Sequence, residues 1–162
     1  VLNLTSWMVV LSGIEDNFSK ARNLLERKIE SGEAYQRFLK MVTDQGGDIS
    51  YIENPDKYEN ARIIKPVPAT KQGYVESINT YQVGMACVKL GGGRQKVEDD
   101  IQPDVGIIVN KKIGEEVGKS EELAIIHANS EESWEVAAQD IRAAYKIGKQ
   151  KVDAPPLIYE TL

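Results

Sequence analysis

The sequence predicts an α+β protein in which an N-terminal helical segment precedes a mostly antiparallel β unit with two helices. Three observations carry that expectation. Up to about residue 47, apolar side chains recur at helical spacing and glycines close each run. Residues 105–128, VGIIVNKKIGEEVGKSEELAIIHA, place two apolar strand patterns around a polar interval punctuated by Gly114 and Gly118. Glycines at those positions suit turns that a side chain would resist, so the stretch folds back on itself. Finally, the polar run 48–60 separates the helical pattern from the first β signal, dividing the chain into 1–60 and 61–162.

Leu4, Trp7, Met8 and Leu11 fall on one stripe of a first helix that Gly13 stops, while Val9 and Val10 add apolar surface off the stripe. A helix apolar on more than one side calls for neighbours on both faces. Val1 is not an initiator Met and VLNLTSWMVVL opens within an apolar pattern, so the expectation is a chain that starts inside something larger. A second helix is predicted over 18–31, with Asn17 as N-cap and Gly32 as stop. Its apolar face is Phe18, Ala21, Leu24, Leu25 and Ile29. A third helix, Glu33 to Gln45, should turn Phe38, Met41 and Val42 inward before Gly46-Gly47.

Residues 62–69, RIIKPVPA, carry two prolines and therefore suit an edge strand, because proline cannot donate to a ladder. Residues 73–78, GYVESI, read as a second strand expected to join the 105–128 strands in one compact sheet. Thr80 to Leu90 returns to helical spacing with Thr80 as cap, and Gly91-Gly92-Gly93 breaks it. The polar loop from Gly91 to Pro103 should move unless something holds it. A last helix is predicted from Glu131 to Ile147, capped by Ser130, with Trp134, Ala137, Ala138, Ile141 and Tyr145 on one face. The closing LIYETL, after Pro155-Pro156, reads as a strand.

The 162 residues fit one ordinary domain or two small units, and 41% hydrophobic with 28% charged residues is a globular mix. A net charge of −5 without a basic stripe argues against nucleic-acid binding. Lys111 and Lys112 are offset by Glu115 and Glu116 and read as a solvated turn. No apolar run reaches the roughly 18 residues a membrane span needs, and the start lacks a signal-peptide prefix. One cysteine, Cys87, excludes an internal disulfide and makes the cytoplasm the default location; its apolar setting reads as a small buried hydrophobe rather than a nucleophile.

Several motifs invite functional readings. GEEVGKS, Gly114 to Ser120, ends like a phosphate-binding loop, but three residues rather than four separate its glycines, and a strand signal rather than a helix follows at Glu121-Glu122-Leu123. GGGRQK, Gly91 to Lys96, reads either as an anion nest with Arg94 and Lys96 or as a helix stop before a loop, and the second reading is favoured. His127, the single histidine, has no Cys or carboxylate at ligand spacing and is expected to be a hydrogen-bonded structural residue. Glu98, Asp99 and Asp100 are consecutive and cannot face one another as a catalytic pair. Catalytic, substrate-binding and metal-binding residues are therefore expected to be absent, and no cofactor is implied.

The runs LTSWMVVLSG, MVTDQGGD, GYVESI, VGMACVKLGGGR, VGIIVNKKIGEEV and LAIIHAN, with PPLIYE near the end, occur in an order that resembles the C-terminal part of pyrimidine-nucleoside phosphorylases, including thymidine phosphorylase. The resemblance implies that 1–60 is the helical tail of that family's α/β domain and 61–162 its hammerhead-like C-terminal domain. It further implies a cytoplasmic, homodimeric parent pentosyltransferase that cleaves pyrimidine nucleosides with phosphate to free base and pentose 1-phosphate. The family's phosphate loop, base-contacting residues and catalytic His precede the matched region, so none transfers to a residue here. The chain is then expected to be an inactive structural part whose partner is the N-terminal portion of its own protein. A rival reading is a biotinyl- or lipoyl-like carrier, since KKIGEEVGKSEELAIIHA is also similar to the strand, turn and strand of such modules, but Asn129-Ser130 stands where the modified lysine would be. A third is an interaction protein using the apolar face of the first helix.

Overall fold

The computed structural model describes residues 1–94 and 96–160 and divides into two compact units, Val1–Lys57 and Tyr58–Leu162.

The first unit is helical: α1 (Leu2–Leu11), α2 (Phe18–Glu30), α3 (Glu33–Asp44), the one-turn α4 (Ser50–Glu53) and a 3-10 turn at Pro55–Lys57. Asn17 caps α2 as expected, its side chain accepting the Lys20 N–H at 2.9 Å, and Gly32 ends α2 in the left-handed region at φ +78°. Trp7 and Phe18 bring α1 and α2 together, with ring centroids 5.1 Å apart. Two faces differ from expectation. In α1 the fully buried residue is Ser6, whose hydroxyl donates to the Leu2 carbonyl at 2.7 Å; the Leu4, Trp7, Met8 and Leu11 stripe is exposed. In α3 Leu39 is buried whereas Phe38 and Met41 are exposed. α1 carries apolar residues around much of its circumference, so spacing alone does not choose its inner side, whereas α3 has one broad apolar face on which Leu39 is the buried residue.

The second unit holds β1 (Ile63–Pro68), β2 (Gly73–Ile78), α5 (Thr80–Cys87), a π turn (Val88–Gly92), β3 (Gly106–Val109), β4 (Glu116–Val117), β5 (Glu122–Ala128), α6 (Glu131–Ala144) and β6 (Tyr145–Gly148). Its strands form two antiparallel sheets of three, ordered β1-β5-β3 and β4-β2-β6, which makes the arrangement α+β. The proline-bearing β1 is an edge strand, as its composition requires. β3 and β5 pair as the 105–128 pattern predicts, with Ile107 opposite Ile126. The strand at 73–78 does not join them. It lies between β4 and β6, so the 105–128 stretch feeds both sheets: β3 and β5 one, β4 the other.

Four other expectations are corrected. α6 stops at Ala144, because Tyr145 and Ile147 are buried in alternation with exposed Lys146 and pair with β2 as a strand. Ile141 and Tyr145 satisfy helical spacing while Tyr145 and Ile147 satisfy strand spacing, and the available partner decides. The α5 cap is Asn79 rather than Thr80, its side chain accepting the Gln82 N–H at 3.1 Å. No strand forms over 151–160, where Leu157 is almost fully exposed; the last two residues of LIYETL lie outside the described residues. Lys111 is half-buried rather than freely solvated, pairing with Glu121 and donating to the Glu116 carbonyl at 2.9 Å, while Lys112, Glu115 and Glu116 of the same turn are exposed.

Val67, Val75, Val117, Leu123, Ile126 and Ile141 form the centre of the core, each all but fully buried. Ser130 caps α6 by accepting the Ser133 N–H. From the first turns of α6, Trp134 Nε1 donates to the Lys65 carbonyl at 3.3 Å and Glu131 pairs with Lys65, so the helix is fastened to the edge strand.

Candidate functional site

The turn at 110–121 is closed by its own side chains. Lys112 N–H donates to Glu115 Oε2 at 2.7 Å and Gly118 N–H to Glu121 Oε2 at 2.6 Å. The Gly118 N–H, and after it Lys111, hold the Glu121 carboxyl below the ordinary range for glutamate. A phosphate seated on this loop would have to displace a carboxylate already bound to the same kind of backbone donor. β5 then begins at Glu122 with no helix to aim further N–H groups, so GEEVGKS lacks the second feature of a phosphate loop as well.

Tyr145 locks the turn to the core. It is 7% exposed, and its hydroxyl reaches the Lys111 carbonyl at 2.8 Å and the Leu123 carbonyl at 3.2 Å. Burial, with a smaller contribution from the Glu115 charge, pushes its phenol up to about 12. The residue is a donor that stays protonated at neutral pH, which is a structural property rather than that of a general base.

The Gly91 loop is held. Gly91 takes φ +99°, and its carbonyl accepts the Gln102 N–H at 2.9 Å. Asn129 Nδ2 then donates to Gln102 Oε1 at 2.8 Å and to Asp104 Oδ2 at 2.9 Å, while Asn129 Oδ1 accepts the Arg62 N–H at 3.3 Å. Asn129 thus ties the loop's return to the strand β1 side, using the position where a carrier would present its lysine. Within GGGRQK, where the anion nest is the less favoured reading, Lys96 N–H donates to Asp99 Oδ2, placing a carboxylate where an anion would bind; Gln95 lies outside the described residues.

His127 sits on β5 opposite Ile64 and Gly106, half-buried between the buried Ile126 and Ala128. The hydrogen bond expected for its ring is not found among the described residues. Cys87 is half-buried at the end of α5 rather than fully inside, with Sγ against Gly92, where an added Cβ would lie 2.9 Å from the sulfur. Among the described residues no group of three or more His, Cys, Asp or Glu is placed to hold a metal ion. Among the described residues no helix is long and apolar enough to cross a membrane.

Two concavities of the second unit bear on function. One of about 480 Å³ is walled by Ile78, Val83, Val109, Ile113, Pro155 and Leu157, with Lys112 at its edge. The other, of about 290 Å³, lies between the β1–β2 turn and the α6–β6 junction and is lined by Lys71, Arg142 and Lys146 over Leu123 and Tyr145. Sequence reasoning missed this basic set, since its members are dispersed along the chain and meet only through the fold. No nucleophile paired with a base lines either concavity.

The family description for the pyrimidine nucleoside phosphorylase C-terminal domain matches residues 74–148, a span running from β2 through β6. It embraces β3 and β5 of the 105–128 stretch, the Tyr145 lock and the Asn129 latch. Residues 74–148 of the second unit are therefore similar to the C-terminal domain of the pyrimidine nucleoside phosphorylase family.

Proposed function

We propose that the chain is the C-terminal part of a pyrimidine-nucleoside phosphorylase, a pentosyltransferase that exchanges the base of a pyrimidine nucleoside for phosphate, and that this part is a scaffold without its own catalytic centre. The observation that carries the reading is the match of 74–148 to the family's C-terminal domain. Residues 1–60 are read as the helical tail of the α/β domain, and 61–162 as a hammerhead-like unit that braces it. The exposed Leu4, Trp7, Met8 and Leu11 stripe suits burial against further apolar surface of the same protein. The parent would be a cytoplasmic homodimer acting on uridine, thymidine or both.

The chemistry of the two units agrees with a supporting role. Phosphorolysis needs preorganised donors for phosphate and a group to stabilise the departing base. The glycine-rich turns that might supply donors are instead occupied by Glu121 and Asp99. The test is to incubate the purified chain with uridine or thymidine and phosphate and to measure free base. No release above the blank is expected, and release by the purified chain would overturn the scaffold reading. Intact mass without a lysine adduct would at the same time separate it from a carrier, whose attachment position is taken by the latched Asn129.

A further inference from the structure

We propose that the cavity between the β1–β2 turn and the α6–β6 junction is a binding site for a tetrahedral oxyanion of the phosphate class, free or as a small monoester. Three cationic residues line it: Lys71 from the turn, Arg142 from the last turn of α6 and Lys146 from β6. Lys146 already has a counterion in Glu76, 3.0 Å away. Arg142 and Lys71 have no ion pair or side-chain hydrogen bond among the described residues. The cavity therefore holds two cations in excess of its carboxylate, on a chain whose net charge is −5.

A pocket positive against an acidic background concentrates anions that the rest of the surface repels. Arg142 is half-buried, and its planar fork matches two oxygens of a phosphate or carboxylate. Thr70 adds a hydroxyl at the rim, while Leu123, Tyr145 and Ile147 give an apolar floor. The C-terminal end of α6 opposes an anion, but its Ala144 carbonyl accepts the Asn79 N–H, which blunts that opposition. At about 290 Å³ the cavity is larger than a bare oxyanion needs, so a small organic substituent fits beside the phosphate. The cations at this cavity set it apart from the glycine turns, where carboxylates already accept from backbone N–H groups. The proposal does not rest on the phosphorolysis reading, and its failure would leave that reading intact.

The test is a titration of the isotope-labelled full chain followed by amide NMR, with inorganic phosphate in one arm and glycerol 3-phosphate in the other. Ionic strength is held constant with chloride. Saturable shifts centred on residues 70–71 and 142–147 are expected in at least one arm, and the tighter arm tells whether the occupant is the free ion or a monoester. Arg142→Gln should weaken binding about tenfold or more, and Lys71→Gln, in an exposed turn, should weaken it without risk to folding. Lys89→Gln, which removes a cation paired with Asp140 outside the cavity, should leave binding unchanged. Shifts linear in concentration, shifts reproduced by chloride alone, or wild-type binding by both Arg142→Gln and Lys71→Gln would each overturn the assignment.

Discussion

Replacing Tyr145 with phenylalanine removes one hydroxyl from the point where the 110–121 turn meets the core, and its effect should depend on pH in a defined direction. The Leu123 carbonyl keeps the N–H groups of Asn110 and Lys111 as donors, at 3.0 and 3.1 Å. The Lys111 carbonyl loses its hydroxyl partner. Losing a net hydrogen bond and stranding a poorly solvated carbonyl costs about 1–2 kcal/mol near neutral pH. The phenol stands at about 12 in the folded chain against an ordinary value of 10.0. Below the lower value both folded and unfolded chains keep the proton, and the hydrogen bonds contribute fully. Above it the unfolded chain releases the proton first, so this contribution falls as pH rises toward the folded value. A difference of two pKa units corresponds to roughly 2–3 kcal/mol, reached only when the window has been crossed. Urea unfolding should be followed by the fluorescence of Trp134, with Trp7 replaced by phenylalanine so that the second unit alone reports. At about pH 8 the Tyr145→Phe chain should be the less stable, and at about pH 11.5 the gap should have closed or reversed. A gap that stays constant across that range, or Tyr145→Phe as stable as its parent near neutrality, would refute the buried-donor reasoning.

The strand crossing of β2 and β6 offers a paired test. An added Cβ at Gly73, where φ is +153°, would lie 2.2 Å from the Gly148 carbonyl oxygen, and backbone cannot step aside; one at Gly148 would instead meet the Glu76 carboxylate, the free end of a flexible side chain. Gly73→Ala should therefore lower stability by roughly 2–3 kcal/mol or more, and Gly148→Ala by less, chiefly through the exposed Lys146–Glu76 pair, as chemical denaturation of both would show. Asn129→Ala should cost about 1–2 kcal/mol and speed tryptic cleavage after Arg94 or Lys96, because it frees Gln102 and Asp104 together. Unchanged cleavage kinetics would mean that the latch does not hold the loop.

Local chemistry was readable wherever one residue type answers one geometric demand. Asn17 and Ser130 cap helices because a short polar side chain can reach back to an orphan N–H, and Gly32 and Gly91 end helices because they accept positive φ. The prolines of β1 announced an edge for the same sort of reason. Choices that depend on a partner distant in sequence were not readable. Whether Tyr145 to Gly148 continues a helix or starts a strand is settled by the free edge of β2. Which sheet β2 joins depends on β4, two residues long and hidden in a polar interval that also reads as turn. The inner face of α1 depends on neighbours, since apolar residues ring that helix, and in α3 neighbours decide which part of one broad apolar face is buried. The same limit applies to the basic cavity: Lys71, Arg142 and Lys146 form no motif, and only the α6–β6 junction brings them beside the β1–β2 turn.

The span that matches the family and the span that makes a physical unit differ in one informative way. Residues 74–148 leave out β1, yet β1 pairs along β5 from Ile63–Ala128 to Pro68–Glu122. Without it, the most buried strand of the unit would present one edge of unpaired backbone groups, a template for association with another chain. β1 blunts that edge twice over. Pro66 and Pro68 withhold N–H donors along it, and Lys65 reaches across to Glu131 while its carbonyl receives Trp134 Nε1. The latch makes the same connection from the other end, since Asn129 binds both the Arg62 N–H before β1 and the loop that leads into β3. Sheet, helix and loop therefore converge on a strand that the family span omits, and the smallest part of this chain with a closed sheet begins before Ile63.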